Sequence, residues 1–293
     1  MERYYFAYGS NLNIADWHRW CSWCGYAKDL LKPISTGYLP DRTLAFSLHS
    51  ESRFGGVLDV VPKLGHTVSG VIYKVKESGW QALDAKEGAP NWYRRFDTYA
   101  LTSDAKEVAV STYEVRPNLR SPFVPPHSDY LEIVSQGLRS YGLDDLALNA
   151  TANQQNLNSL NHFFFYGTLM TGQIRHKLLK PFSIKLIKDA KTYGKLIDLG
   201  SYPGFLLRDQ DKEREQWVYG ELVELGNIEQ AVTELDQVEG FSFFGDPDLL
   251  YRRALTNVYL DDGVQKLAWI YVYNQPSSER LILSGNWREF SKL

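Results

Sequence analysis

The sequence predicts an α+β protein built from two copies of one domain, each with a strongly curved sheet or barrel. Three observations carry this. The chain has 293 residues, room for two domains at about 150 residues each. Three short motifs occur twice, in the same order. Many strand-like segments and few helical ones lie between them, which favours α+β over a regular alternation of strand and helix.

The repeat is read first. Tyr4 to Ser10 runs Tyr-Tyr-Phe-Ala-Tyr-Gly-Ser, and Phe163 to Thr168 runs Phe-Phe-Phe-Tyr-Gly-Thr. Leu83-Asp84-Ala85-Lys86-Glu87-Gly88 answers to Leu235-Asp236-Gln237-Val238-Glu239-Gly240, and Tyr93-Arg94-Arg95 to Tyr251-Arg252-Arg253. Tyr8 to Tyr166 and Tyr93 to Tyr251 are both 158 residues apart, while Glu87 to Glu239 is 152. The second copy has thus lost six residues before its glutamate and gained six after it. A period this long means duplicated domains, not a solenoid. The expected division is 1–145, a polar Asn/Gln/Ala-rich linker over 146–161, and 162–293.

The elements follow in order. After each Tyr-Gly-Ser/Thr turn the spacing predicts a helix, with Trp17, Trp20 and Cys24 on one face in copy one and Gln173 to Lys180 as its counterpart. Val57–Val61 and Val68–Val75 read as strands about a Pro-Lys-Leu-Gly-His turn; Tyr193–Leu199 and Trp217–Leu225 match them. Short helices, Ser78–Asp84 and Ile228–Asp236, are expected to stop just before each glutamate. Strands at Asp97–Thr102, Val108–Val115, Ala254–Leu260 and Leu267–Tyr273 complete the set.

Composition narrows the function. With 32 basic and 35 acidic residues the net charge is −3, and no dense Lys/Arg run exists, so neither a nucleic-acid nor a membrane partner is expected. The N-terminus has no signal-peptide pattern and no apolar run is long enough to span a bilayer, so a cytoplasmic protein is expected. Cys21-Ser22-Trp23-Cys24 reads as a redox or metal CxxC, of which it supplies at most half a zinc site, or as two small hydrophobes one helical turn apart, the reading preferred here. The six histidines do not cluster, and there is no His-Glu-x-x-His, Gly-x-Ser-x-Gly or Walker loop. No metal and no cofactor is expected.

What remains is an anion-binding turn, a carboxylate and an aromatic pocket. Gly9 and Gly167 let the backbone turn sharply after a strand, aiming the following N–H groups into one place, a nest for a carboxylate. An ordinary tight turn with Ser10 or Thr168 as helix cap is the other reading. Glu87 and Glu239 each precede a glycine, where a solvated surface residue is common. Both copies keep the glutamate and follow it with aromatics, Trp92-Tyr93 and Phe241 to Phe244 with Tyr251. An apolar wall would lift such a carboxyl toward the neutral range that proton transfer uses. Arg94, Arg95, Arg252 and Arg253 offer bidentate carboxylate binding, or alternate between an inward and an exposed face of a strand.

Tyr5 to Leu12, Gly55-Gly56-Val57, Gly70 to Tyr73, Leu83 to Gly88, Tyr93 and the tail Pro125 to Leu143 together resemble γ-glutamylcyclotransferase over residues 1–145. Tyr166 to Met170, Gly200 to Gly204, Leu235 to Gly240, Tyr251-Arg252 and Ser284 to Trp287 resemble the shorter AIG2-like branch of the same superfamily over 162–290. The resemblance implies a small mixed β-barrel with flanking helices and a pocket at one end. It also implies a reaction on a small γ-glutamyl substrate, whose own α-amine closes onto its γ-carbonyl to give 5-oxoproline and a free amine. On that reading Glu87 and Glu239 move the proton. Tyr8, Gly9, Ser10, Asn11 and Leu12, and in copy two Tyr166, Gly167, Thr168 and Leu169, hold the glutamyl group, while Tyr93, Tyr130 and Tyr251 wall the pocket. Copy two departs from the pattern: Leu169 stands where copy one has Asn11, and Tyr130 has no clear counterpart.

Overall fold

The computed structural model describes residues 4–155, 160–207 and 216–292. Two compact units divide the chain: Met1–Ala100 with Val108–Asn158, and Leu101–Glu107 with Ser159–Leu293. Of the expected linker, residues 156–159 lie outside the described residues. Its first part forms a helix, Leu146–Ala152, with Leu148 and Ala150 buried.

In the first unit the strands are β1 (Tyr4–Ala7), β2 (Leu31–Ser50), β3 (Gly55–Val75), β4 (Tyr93–Leu101) and β5 (Glu107–Val115). They close into a barrel in the order β1-β3-β2-β4-β5. β1 runs antiparallel to β3 and parallel to β5, meeting it at Tyr5 and Ser111, so the barrel is mixed. Closure leaves no exposed sheet edge. Three helices flank it: α1 (Ile14–Cys24), α2 (Gly79–Glu87) and α3 (Ser128–Ser140), with α4 (Leu146–Ala152) behind β2. Tyr5, Phe6 and Ala7 are all buried, so both faces of β1 lie within the core.

One expectation changes here. The Pro62 to His66 turn is no hairpin: the chain runs through it as one 21-residue strand, β3, paired along a 20-residue partner, β2, that the sequence pattern did not reveal. The ribbon bends instead at shifts in register, one of them at Pro40/Arg42, where Asp41 takes φ 55 and its Oδ1 accepts from the Gly65 N–H at 2.8 Å. The tail from Pro125 contains a 13-residue helix, α3, which buries Tyr130, Val134 and Leu138.

The second unit repeats the plan with β6 (His162–Phe165), β7 (Ile184–Tyr193), β8 (Lys195–Asp198), β9 (Pro203–Leu206), β10 (Trp217–Leu225), α5 (Ile228–Glu239), β11 (Tyr251–Leu260), β12 (Gln265–Tyr273) and α6 (Trp287–Phe290). Its barrel closes in the order β10-β6-β12-β11-β7, again through one parallel contact, Phe163 with Trp269. The long ribbon of the first unit is divided here: β8 and β9 form a separate two-stranded sheet. The helix expected over Gln173–Lys180 is replaced by a 3-10 segment, His176–Phe182. Pro181 lies in that segment and has no N–H to continue an α-helix. Among the described residues no helix is long and apolar enough to cross a membrane.

Candidate active site

Each glutamate is the last residue of its helix, which runs three residues beyond the expected end at Asp84 or Asp236. Gly88 (φ 61) and Gly240 (φ 71) cap α2 and α5 in the left-handed region, which a side chain would strain. The N–H of Gly88 returns to the Asp84 and Ala85 carbonyls and that of Gly240 to Asp236, so the final turn is closed and the glutamate fixed.

In the first unit β1 delivers the candidate turn beside Glu87. Gly9 and Ser10 are half-buried there, and Tyr8 is buried, its hydroxyl donating to the Tyr113 carbonyl (2.8 Å). Asn11 is buried within the 3-10 turn Ser10–Leu12, and its Nδ2 donates to Glu87 Oε1 (2.7 Å) and to the Tyr5 hydroxyl (2.9 Å). Its Oδ1, also buried, receives no hydrogen bond from the described residues. The Tyr93 hydroxyl donates to the Leu58 carbonyl (2.6 Å), and the Leu58 N–H donates to the Tyr130 hydroxyl (3.2 Å), so both expected wall residues are pinned to one point of β3. Leu12 is different: its side chain is fully buried in the core and its N–H closes on the Gly9 carbonyl (3.0 Å).

Burial pushes the Glu87 carboxyl up to about 7, against the opposing pull of Lys86, the Asn11 bond and Arg53. Its place at a helix C-terminus acts in the same direction as burial. The two cations are themselves engaged. Arg53 grips Asp16 through both terminal nitrogens (3.0 and 2.7 Å), and Lys86 reaches the same carboxylate at 2.8 Å. Burial raises the Asp16 carboxyl, but these bonds outweigh it and hold the group below its usual value.

The second unit shows the same frame. The Tyr166 hydroxyl donates to the Tyr271 carbonyl (2.7 Å), and Tyr251 to the Pro203 carbonyl (2.9 Å). Gly167, half-buried Thr168 and Leu169 follow β6 and line a cavity of about 130 Å³ together with Glu239, Tyr251 and Arg175. Burial pushes the Glu239 carboxyl to about 7, with Arg175 the opposing charge. In both units burial also lifts the phenols of Tyr8, Tyr93, Tyr130, Tyr166 and Tyr251, so each stays a hydrogen-bond donor at neutral pH.

Other frame residues lay outside the sequence reading. Tyr113 and Tyr271 donate to Asp84 and Asp236, both at 2.7 Å. They too are 158 residues apart, the signal that would have found them. Three of the four arginines singled out above serve this frame or the barrel wall. Arg95 bonds Asp84 (3.2 Å), Arg253 lies 3.5 Å from Asp236 and over the Trp269 ring, and Arg94 bonds Glu114 (2.6 Å). Asp16, Arg53 and Arg175 carry no repeat signal. Cys21 is buried and Cys24 exposed on α1, and among the described residues no cluster of three or more metal-ligating side chains occurs.

Comparison with known proteins finds one family twice in the chain. The family described as "Gamma-glutamyl cyclotransferase, AIG2-like" matches twice, over residues 5–132 and 163–289. A Gamma-L-glutamyl-butirosin B gamma-glutamyl cyclotransferase of Niallia circulans is 32% identical over 130 residues, 44% of this chain and 76% of that protein. A Gamma-glutamylcyclotransferase of Bos taurus is 29% identical over 148 residues, 47% of this chain and 71% of the other. A solved structure described as "Gamma-glutamyl cyclotransferase" is 23% identical, with a TM-score of 0.44 over 54% of this chain and 89% of its own. With the family pattern present once in each barrel, the chain belongs to the γ-glutamyl cyclotransferase, AIG2-like family of enzymes, as a tandem member.

Proposed function

We propose that each unit is a cyclotransferase site acting on γ-glutamyl compounds, with Glu87 and Glu239 as the proton-transferring groups. The observation that carries this is the pair of helix-terminal carboxyls, each lifted by burial to about 7 in its own barrel beside a Tyr-Gly turn. At neutral pH such a group is divided between base and acid, the condition for doing both jobs in one cycle.

The substrate supplies its own nucleophile. Its α-nitrogen loses a proton to the glutamate and bonds to the γ-carbonyl carbon; the bond from that carbon to the leaving nitrogen then breaks, and the glutamate returns the proton to it. The products are 5-oxoproline and an amine; no water, metal or redox partner enters the balance. Because the reaction is a ring closure, the protein's main task is to hold amine and carbonyl within attack distance. The turns at Tyr8 to Asn11 and Tyr166 to Leu169 are assigned to the glutamyl group. In the first unit the unpartnered Asn11 Oδ1 is an acceptor for a substrate N–H. Tyr93, Tyr130 and Tyr251 wall the sites.

A second reading has one catalytic unit beside a ligand-binding one. It rests on Leu169, which supplies no amide to bridge Glu239 as Asn11 bridges Glu87. The test of catalysis itself is formation of 5-oxoproline from a panel of γ-glutamyl amino acids and amines. The parent chain is expected to make it, and the Glu87→Gln/Glu239→Gln double variant to lose about 10²–10⁴-fold in rate, the usual worth of general acid–base catalysis. No product from any member of the panel, or an undiminished rate in the double variant, contradicts the assignment.

A further inference from the structure

The two glutamates differ in the cations around them: Lys86 and Arg53 act on Glu87, and Arg175 alone acts on Glu239. In the first unit Arg53 is bound through two nitrogens to Asp16. In the second, Arg175 is half-buried, lines the cavity with Glu239, and forms no ion pair with it. Among the described residues no side chain hydrogen-bonds its guanidinium; the Tyr202 ring lies 5.9 Å from the guanidinium carbon. Its backbone is tied to the candidate turn, the Arg175 N–H donating to the Thr168 carbonyl at 2.9 Å. A planar fork of donors held at the wall of an apolar cavity is suited to grip a carboxylate.

One rim residue is the second unit's own as well: Val238 precedes Glu239 where Lys86 precedes Glu87, while Leu250 answers to the apolar Trp92. Val238 and Leu250 line the cavity yet remain 38% and 42% exposed, an apolar lip open to solvent. Features present in both units match the part of the substrate common to both, the glutamyl group. Features confined to one unit match the part that varies, the amine to be released. We propose that Arg175 is the specificity-determining residue of the second cavity and that it selects γ-glutamyl conjugates whose released amine carries a carboxylate beside an apolar body. This rests on the reading of Glu239 as a cyclotransferase site. The carboxylate meets Arg175 while the apolar body lies along Val238 and Leu250. A neutral amine of the same shape leaves the guanidinium unpaired.

The test uses a matched pair, γ-glutamyl-phenylalanine and γ-glutamyl-phenethylamine, which differ only by that carboxylate. Turnover is measured in the full-length Glu87→Gln chain, so that the second site alone reports. A preference of at least tenfold for the acid, expressed in KM, is expected. Arg175→Gln is expected to bring the acid-to-amine ratio close to one, and Arg175→Lys to restore part of it. The ratio is insensitive to any general loss of folding or any shift in Glu239, since both substrates feel these equally. A ratio unchanged by Arg175→Gln, or a preference for the neutral amine, overturns the proposal. Binding of the same pair to the Glu87→Gln/Glu239→Gln chain separates the two claims. Acid-selective binding lost with Arg175→Gln, but no second-site turnover, sinks the catalytic reading and upholds the subsite; equal binding of both sinks the subsite.

Discussion

Glu87 and Glu239 show what a buried carboxyl costs a fold. A carboxyl lifted from 4.5 to about 7 by burial binds more protons in the native state than in the unfolded one between those values. Its contribution to stability is therefore complete below about 4.5 and is lost as pH rises through 7. Two expectations follow at this scale. Glu87→Gln and Glu239→Gln should each raise the melting temperature at pH 8, by roughly 2–4 °C per kcal/mol regained, and leave it unchanged at pH 4. Thermal melts at the two pH values check this; equal shifts at both would mean the carboxylates are not the strained groups. The same ionisation should give kcat/KM an acid limb with a midpoint near 7, falling about tenfold per unit below it. A midpoint near 4.5 would show an ordinary solvated glutamate.

At the scale of elements, the device is a helix that ends on its buried glutamate. α2 and α5 stop because Gly88 and Gly240 adopt left-handed backbone, and each helix thus ends on a carboxyl beside the Tyr-Gly turn of its unit. A Cβ at Gly240 meets nothing within 4 Å, so Gly240→Ala isolates the backbone strain. It should cost about 1–2 kcal/mol of stability and lower turnover at the second site more than its substrate affinity. Urea unfolding together with kcat and KM tests this, and a variant of parental stability and rate would remove the cap from the account. Much of this was legible in sequence, since Leu-Asp-x-x-Glu-Gly recurs and glycine after a helical run marks an end. The mismatch over the glutamates' own position came from one turn of helix, Ala85–Glu87, whose polar residues weaken the apolar period. β2 escaped notice because its 20 residues include Pro33, Gly37 and Pro40, which read as breakers, whereas register shifts in the ribbon absorb Pro33 and Pro40. Tyr113 and Tyr271 were visible in principle by their common offset. Arg53 and Arg175 were not, because each acts on its glutamate from a segment distant in sequence and has no counterpart at the repeat offset.

Across the whole molecule, duplication kept the frame and let the electrostatics diverge. Tyr8 and Tyr166 each cross to a tyrosine carbonyl 105 residues on, and those tyrosines each donate to the aspartate that begins the final helical turn. Around the same frame the first unit has an amide on its glutamate and a clamped arginine, and the second has a leucine and an unclamped one. A retained frame with different walls is what two substrate ranges in one chain require. The most direct test is therefore a matrix of single variants against substrates. Glu87→Gln and Glu239→Gln are assayed for 5-oxoproline across γ-glutamyl amino acids and amines, beside the parent chain. The account predicts that each variant loses a different subset of substrates, the losses together covering everything the parent turns over. If Glu87→Gln alone abolished every activity and Glu239→Gln changed none, the second barrel would not be a catalytic site and the central claim would be wrong.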